Sequence, residues 1–215
     1  NSPNALILPV TFWDNMTSLE DHSQTFVSSL FFKLVRTLGI ILSLFLMPLW
    51  YLICTKEIQL PNAMESFIPS SSNLVFFEIL IGELTIELIR VSSLHTPTAL
   101  NSSLGLISAV LVGNIAIETG VLEAETLLLL CFSSIGNYLT PSYEMGIANK
   151  IFKIILIFSG LLGLWGFIGA LVLWIIYLSF LKSLNKPYLY PLIPFNLKKI
   201  WEYLRRLGNI WTIVQ

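Results

Sequence analysis

The residues able to do chemistry in this chain are few, and most are small polar groups within apolar runs. On a helix expected from Ala99 to Ile117, Asn101, Gly105, Ser108, Val112 and Thr119 fall within about 60° of one another. Hydroxyl and amide groups on such a stripe can replace part of a cation's hydration shell, and Val112 can form a dewetting gate. Asn114 joins them as a lining candidate. The same small residues can instead bring helices into close contact, so lining and packing both stay open. Glu83, Glu87 and Arg90 share one helical face. Rings of Glu83, Glu87 or Glu118 would concentrate cations at a mouth; the other readings are a Glu87–Arg90 pair that tolerates membrane burial, and a solvated turn at Glu118.

His95 can sense pH, since imidazole titrates near neutrality, or simply hydrogen-bond the broken backbone beside a helix cap. His22 reads as a solvated loop residue. No other imidazole exists. There is no Gly-x-Ser-x-Gly, no metal-spaced cluster of His, Cys and carboxylates, and no phosphate loop, so no enzyme, metal or cofactor is expected. Cys54 and Cys131 lie far apart in apolar windows and read as small hydrophobes.

The elements that hold these residues are expected to be membrane helices. The chain has 215 residues, 55% hydrophobic and 12% charged, where a soluble domain carries about 25% charge. A net charge of −1 and no basic patch exclude nucleic acid as a partner and leave the lipid bilayer. Residues 1–32 read as a mixed juxtamembrane segment, 33–183 as a transmembrane helical domain, and 184–215 as a proline elbow followed by an amphipathic helix. The chain begins at Asn1 without a methionine or a cleavable signal pattern, as a piece of a longer protein would.

The uncharged run Thr37–Thr55 is long enough for one span, with Pro48 bending it and Trp50 and Tyr51 at the far interface. Leu74–Leu94 is harder. Its four charges, Glu78, Glu83, Glu87 and Arg90, would cost about 12 kcal/mol at mid-bilayer, against about 6 kcal/mol returned by its apolar residues. It must lie at the interface, pair its charges inside a bundle, or line water. Thr96 can cap a helix that starts at Pro97, and Thr140 a helix that starts at Pro141. In the uncharged run Ile154–Leu181, Gly160, Gly163, Gly166 and Gly169 permit either a break near Gly163 or a close-packed seam.

Six of the twelve Lys and Arg follow Leu181, and Lys33 and Arg36 flank the first span. Both ends are therefore expected in the cytoplasm, with the acidic 118–125 turn outside. The expected fold is all-α and polytopic, with about four to six transmembrane or re-entrant helices plus the C-terminal amphipathic helix; six crossings fit the charges, with Lys56 alone on the wrong side.

Five ordered stretches then form a pattern: Arg90–Ser93, His95-Thr96-Pro97-Thr98, Gly113 with Ile115-Ala116-Ile117-Glu118, Thr140-Pro141-Ser142-Tyr143-Glu144, and Pro187 through Asn196. Together they resemble the A-subunit family of bacterial spore germinant receptors, along nearly the whole chain. The resemblance implies the inner membrane of a dormant spore and a role in germination. It also implies a homo-oligomeric ring, a pentamer, that conducts ions beside a small companion membrane protein or other receptor subunits. A second reading is a nutrient-receptor A subunit acting as a signalling scaffold with a transporter-like partner. A solute carrier is disfavoured, because no inverted repeat is visible. Asn114 departs from the family's Gln, and the family's large N-terminal cytoplasmic domain does not figure in these residues. The Tyr188–Phe195 stretch reads as a rigid interfacial elbow that docks a partner or that domain.

Overall fold

A computed structural model describes residues 11–12, 26–58, 61, 74–95, 110, 113–140, 142–183 and 186–190. The first helix, α1, runs from Phe26 to Cys54, about 43 Å at 1.5 Å per residue. It begins well before Thr37, so Lys33 and Arg36 lie within it rather than ahead of it. The helix is unbroken through Pro48, which is fully buried; neighbouring helices make such a proline tolerable in a membrane. Among the described residues four more helices follow: α2 (Val75–His95), α3 (Ala124–Tyr138), α4 (Tyr143–Gly160) and α5 (Gly163–Phe180). A short helical stretch covers 113–118. A small antiparallel pair, β1 (Lys182–Ser183) and β2 (Lys186–Pro187), closes the described chain.

Side-chain contacts fix the helix directions. Trp50 Nε1 donates to Thr126 Oγ1 at 3.1 Å, Ser133 Oγ donates to the Ser43 carbonyl at 3.2 Å, and Gly136 backs onto Gly39. α1 and α3 are therefore antiparallel. Glu78 accepts the Glu123 N–H at 3.3 Å, Gly82 faces Leu130, and the Arg90 guanidinium lies 5.4 Å from the Tyr138 ring centroid. α2 and α3 therefore run parallel, and the chain between His95 and Glu123 must regain the level of Glu78. α4 runs against both, and α5 turns back along α4.

Two larger apolar clusters hold the bundle, with a smaller one where Ile40 of α1 meets Met145 of α4. Met47, Trp50, Tyr51 and Cys54 meet Val75, Ile79, Leu130 and Ile157, joining α1 to α4. Leu44, Leu52, Leu156 and Phe167 join α1, α4 and α5. The outer faces are apolar too. Trp165, Leu173 and Phe180 of α5 are exposed, as are Phe77, Leu84 and Leu88 of α2. Water would not tolerate so continuous an apolar exterior, and lipid does. Among the described residues, Val27–Cys54 and Gly163–Phe180 are long and apolar enough to cross a bilayer unaided. α2 and α4 carry charges and need neighbours.

The run 154–181 is divided at 161–162, and it is closely packed at the turn but not along α5, where a Cβ on Gly169 would meet nothing within 4 Å. Gly163 has φ +73°, a left-handed conformation that L side chains avoid. A Cβ at Gly166 would lie 2.4 Å from the Ser159 carbonyl oxygen, so the α4–α5 hairpin closes on a residue without a side chain. The start of α4 corrects one expectation: its cap is Ser142, not Thr140. Ser142 holds the extended φ, ψ of −90° and 126°, and its hydroxyl accepts the Met145 N–H, because the helix starts two residues later than Pro141 suggests.

At the same end, Tyr188 N–H donates to the Leu181 carbonyl and Phe12 N–H to the Tyr188 carbonyl, both at 2.9 Å. The Phe12 and Tyr188 rings meet edge to face. The described start of the elbow thus packs on residue 12. The amphipathic helix expected around Lys198 to Arg206 lies outside the described residues.

Candidate functional site

Four helices converge on a polar column that is buried at Lys153 and partly exposed at Glu87. Glu83 and Glu87 are one turn apart on α2, and Lys150 and Lys153 are nearly one turn apart on antiparallel α4, so the two rows can meet residue for residue. Lys153 Nζ lies 2.6 Å from Glu83 Oε1. It also donates to Ser133 Oγ at 3.2 Å, and that hydroxyl itself donates to the Ser43 carbonyl. One turn away, Lys150 pairs with Glu87, whose carboxylate stands 4.0 Å from Arg90 Nη1. Arg90 in turn covers the Tyr138 ring. The Lys153 side chain is only 2% exposed, which an unpaired ammonium could not sustain.

The column decides between the three fates open to α2. Its charges pair inside the bundle. Glu83 and Glu87 meet Lys153, Lys150 and Arg90, and Glu78 is used separately at the N-terminal end of α3, where the helix dipole favours an anion. The Glu87–Arg90 contact exists, but Lys150 is the closer partner. Residue-by-residue reading of the sequence missed Lys150 and Lys153. The signal was present in their spacing, which nearly matches that of Glu83 and Glu87.

Close backbone approach sets the frame. A Cβ on Gly136 would sit 2.2 Å from the Gly39 carbonyl oxygen, so α1 and α3 touch where Ser43 and Ser133 bond, a small-residue crossing suited to a membrane. One turn along, Asn137 and Asn149 are buried, and Asn137 Oδ1, Asn149 Nδ2 and Thr140 Oγ1 have no protein hydrogen-bond partner.

Of the residues singled out by sequence, the structure brings Glu83, Glu87 and Arg90 together. Asn114 and Glu118 lie apart from them, exposed on the 113–118 stretch. Gly163 and Gly166 sit at the hairpin, and His95 is the last residue of α2. Asn101, Gly105, Ser108, Val112, Thr96, Pro97 and Pro141 lie outside the described residues. Among the described residues, no group of three or more His, Cys, Asp or Glu could hold a metal ion.

Residues 1–213 match the family described as Bacillus/Clostridium GerA spore germination protein. The chain is 37% identical over 212 residues to stage V sporulation protein AF of Bacillus subtilis (strain 168), covering 97% of this chain and 43% of that protein. It is 29% identical over 213 residues to spore germination protein A1 of the same organism, covering 96% of this chain and 44% of that one. Spore germination protein GerQA of Bacillus cereus is 29% identical over 199 residues, covering 90% of this chain and 40% of its own. The chain thus spans about two fifths of the length of these relatives. No solved structure matches it. Its apolar helices, internally neutralised charges and whole-length match make it a membrane protein that belongs to the GerA spore germination family.

Proposed function

We propose that this chain is the membrane region of a subunit of an oligomeric cation-conducting channel, which releases ions, or amplifies their release, from the dormant spore across its inner membrane. The supporting observation is a division of labour among the acids. Glu83 and Glu87 are occupied by Lys153 and Lys150. Glu118 and Asn114, four residues apart on one side of a helical turn, are exposed in the single chain. Gly113 meets Leu127 of α3, which ties that turn to the bundle. In a symmetric ring, Asn114 and Glu118 facing inward would set a neutral polar level beside an acidic one, and an acidic ring raises local cation concentration. The small-residue stripe Asn101–Gly105–Ser108–Val112 precedes them in the sequence but stands about 130° away round a continuous helix at 100° per residue, so Val112 and Glu118 are tested separately.

In this reading six crossings leave both ends in the cytoplasm, and the partners are copies of the chain, a small companion membrane protein or other germination receptor subunits, and lipid. No catalytic role is assigned. The second reading, a receptor A subunit serving as a signalling scaffold, is favoured by the same ion pairs, since charges that neutralise each other inside one bundle do not attract ions.

Cation flux through the full-length protein in liposomes separates the two. Leak that rises in Val112→Ala over the unaltered protein supports a pore constricted on this segment. An assembled, folded oligomer that passes no cation in either form supports the scaffold.

A further inference from the structure

We propose that ordered water occupies the level of Asn137 and Asn149, forming a hydrated vestibule inside a single helix bundle that reaches the Lys153–Glu83 pair from the α3–α4 turn. The register carries the first part. Lys153 meets Ser133, and because α3 and α4 are antiparallel, moving four residues towards the α3–α4 turn on each helix brings Asn149 opposite Asn137. Gly146 leaves about one methyl group's volume at this level: a Cβ placed there would stand in ordinary contact, 3.7 Å from Asn137 Oδ1.

Asn137 and Asn149 are 4% and 6% exposed, yet Asn137 Oδ1 and Asn149 Nδ2 have no protein partner, and neither does Thr140 Oγ1 three residues beyond. Buried amides left unsatisfied are costly. The orphaned atoms are an acceptor, a donor and a hydroxyl that is both. A bare cation would satisfy the first but not the second and would face the Lys153 ammonium; an anion would satisfy the second but not the first. Water both donates and accepts, and it needs about two to four such partners.

The proposed entrance is the α3–α4 turn. Thr140 lies at the α3–α4 turn, and the seven residues from Thr140 back to Ser133 give a depth of about 10 Å. Beyond Lys153 the bundle is closed by Met47, Leu130 and Ile157, all fully buried in the apolar cluster. Water that enters at the turn stops at the ion pair. This site is separate from any pore between subunits, so its test does not read ion flux.

The test is one-sided labelling of the full-length protein in liposomes, with Asn149→Cys in a Cys131→Ser background. A charged, membrane-impermeant methanethiosulfonate is added to each face in turn. Lys182→Cys, exposed at the same end of the bundle, identifies the face that carries the α3–α4 turn. The expected result is reaction at position 149 from that face alone, about tenfold or more faster than at Cys54, because the solvated thiolate is the reactive species and Cys54 is fully buried among apolar residues. Reaction no faster than at Cys54, or equal from both faces, overturns the proposal. If Asn149→Cys fails to fold, Asn137→Cys on the facing helix is labelled in its place, in the same background and against the same Cys54 and Lys182→Cys references, and the same two results uphold or overturn the proposal.

Discussion

Lys153 and Glu83 are seventy positions apart in sequence and 2.6 Å apart in the bundle, and their contact makes α2 compatible with a bilayer. Two unpaired charges at mid-membrane would together cost about 6 kcal/mol. Paired, and with Ser133 accepting a further ammonium proton, they form a neutral unit that also fixes the register of α2 on α4.

Removing one member of that pair should therefore cost far more than removing both. Glu83→Leu or Lys153→Met alone leaves a buried charge and should destabilise the protein by about 3 kcal/mol or more, whereas the double substitution should recover most of that loss. Thermal unfolding in detergent of the two single variants and the double variant measures the coupling. Additive losses would mean that the pair does not interact.

The α1–α3 crossing should be intolerant of any side chain at its closest point. Gly136→Ala places a Cβ 2.2 Å from the Gly39 carbonyl oxygen, and overpacking of this kind costs about 1–3 kcal/mol. Gly169→Ala, with nothing within 4 Å of its Cβ, is the matched control and should leave the melting temperature unchanged. A similar melting temperature for both variants would refute the close approach.

At the α4–α5 hairpin, Gly163→Ala combines a left-handed backbone with a Cβ 3.1 Å from Glu57 Oε1. A loss of about 1–2 kcal/mol is expected from the conformation alone. Gly163→Asn should lose less, because asparagine adopts this conformation more readily. Chemical denaturation of the two variants tests the order, and alanine as stable as asparagine would contradict the turn geometry.

The start of α4 should depend on Ser142 and not on Thr140. Ser142→Ala removes the hydroxyl that accepts the Met145 N–H and should cost about 1 kcal/mol. Thr140→Val should cost less, since its hydroxyl makes no protein hydrogen bond. The two melting temperatures, compared directly, check the assignment.

Much of this architecture is legible in the sequence alone. The charges of α2 require partners by arithmetic, the 154–181 run carries glycines where it breaks and closes, and apolar windows place the chain in lipid. The partners are not legible residue by residue. Lys150 and Lys153 read as charges following a turn, because their role depends on the direction of α4, which only the tertiary fold sets. Thr140 is the cap that Pro141 suggests; Ser142 has the same chemistry two residues later, and the backbone angles decide between them. Charge marks the start of α1 at Thr37 in the sequence, yet a helix can continue past a bilayer's edge with Lys33 and Arg36 still inside it.

The most direct test of the central claim compares two charge changes in one flux assay. Glu83 and Lys153 balance each other inside the protomer, whereas Glu118 stands exposed and available to ions. Exchanging the pair, with Glu83→Lys and Lys153→Glu together, should leave cation flux through the full-length protein in liposomes near its original value, and Glu118→Lys should abolish it. Flux lost on exchanging a pair that still folds, and retained in Glu118→Lys, would contradict that division of roles.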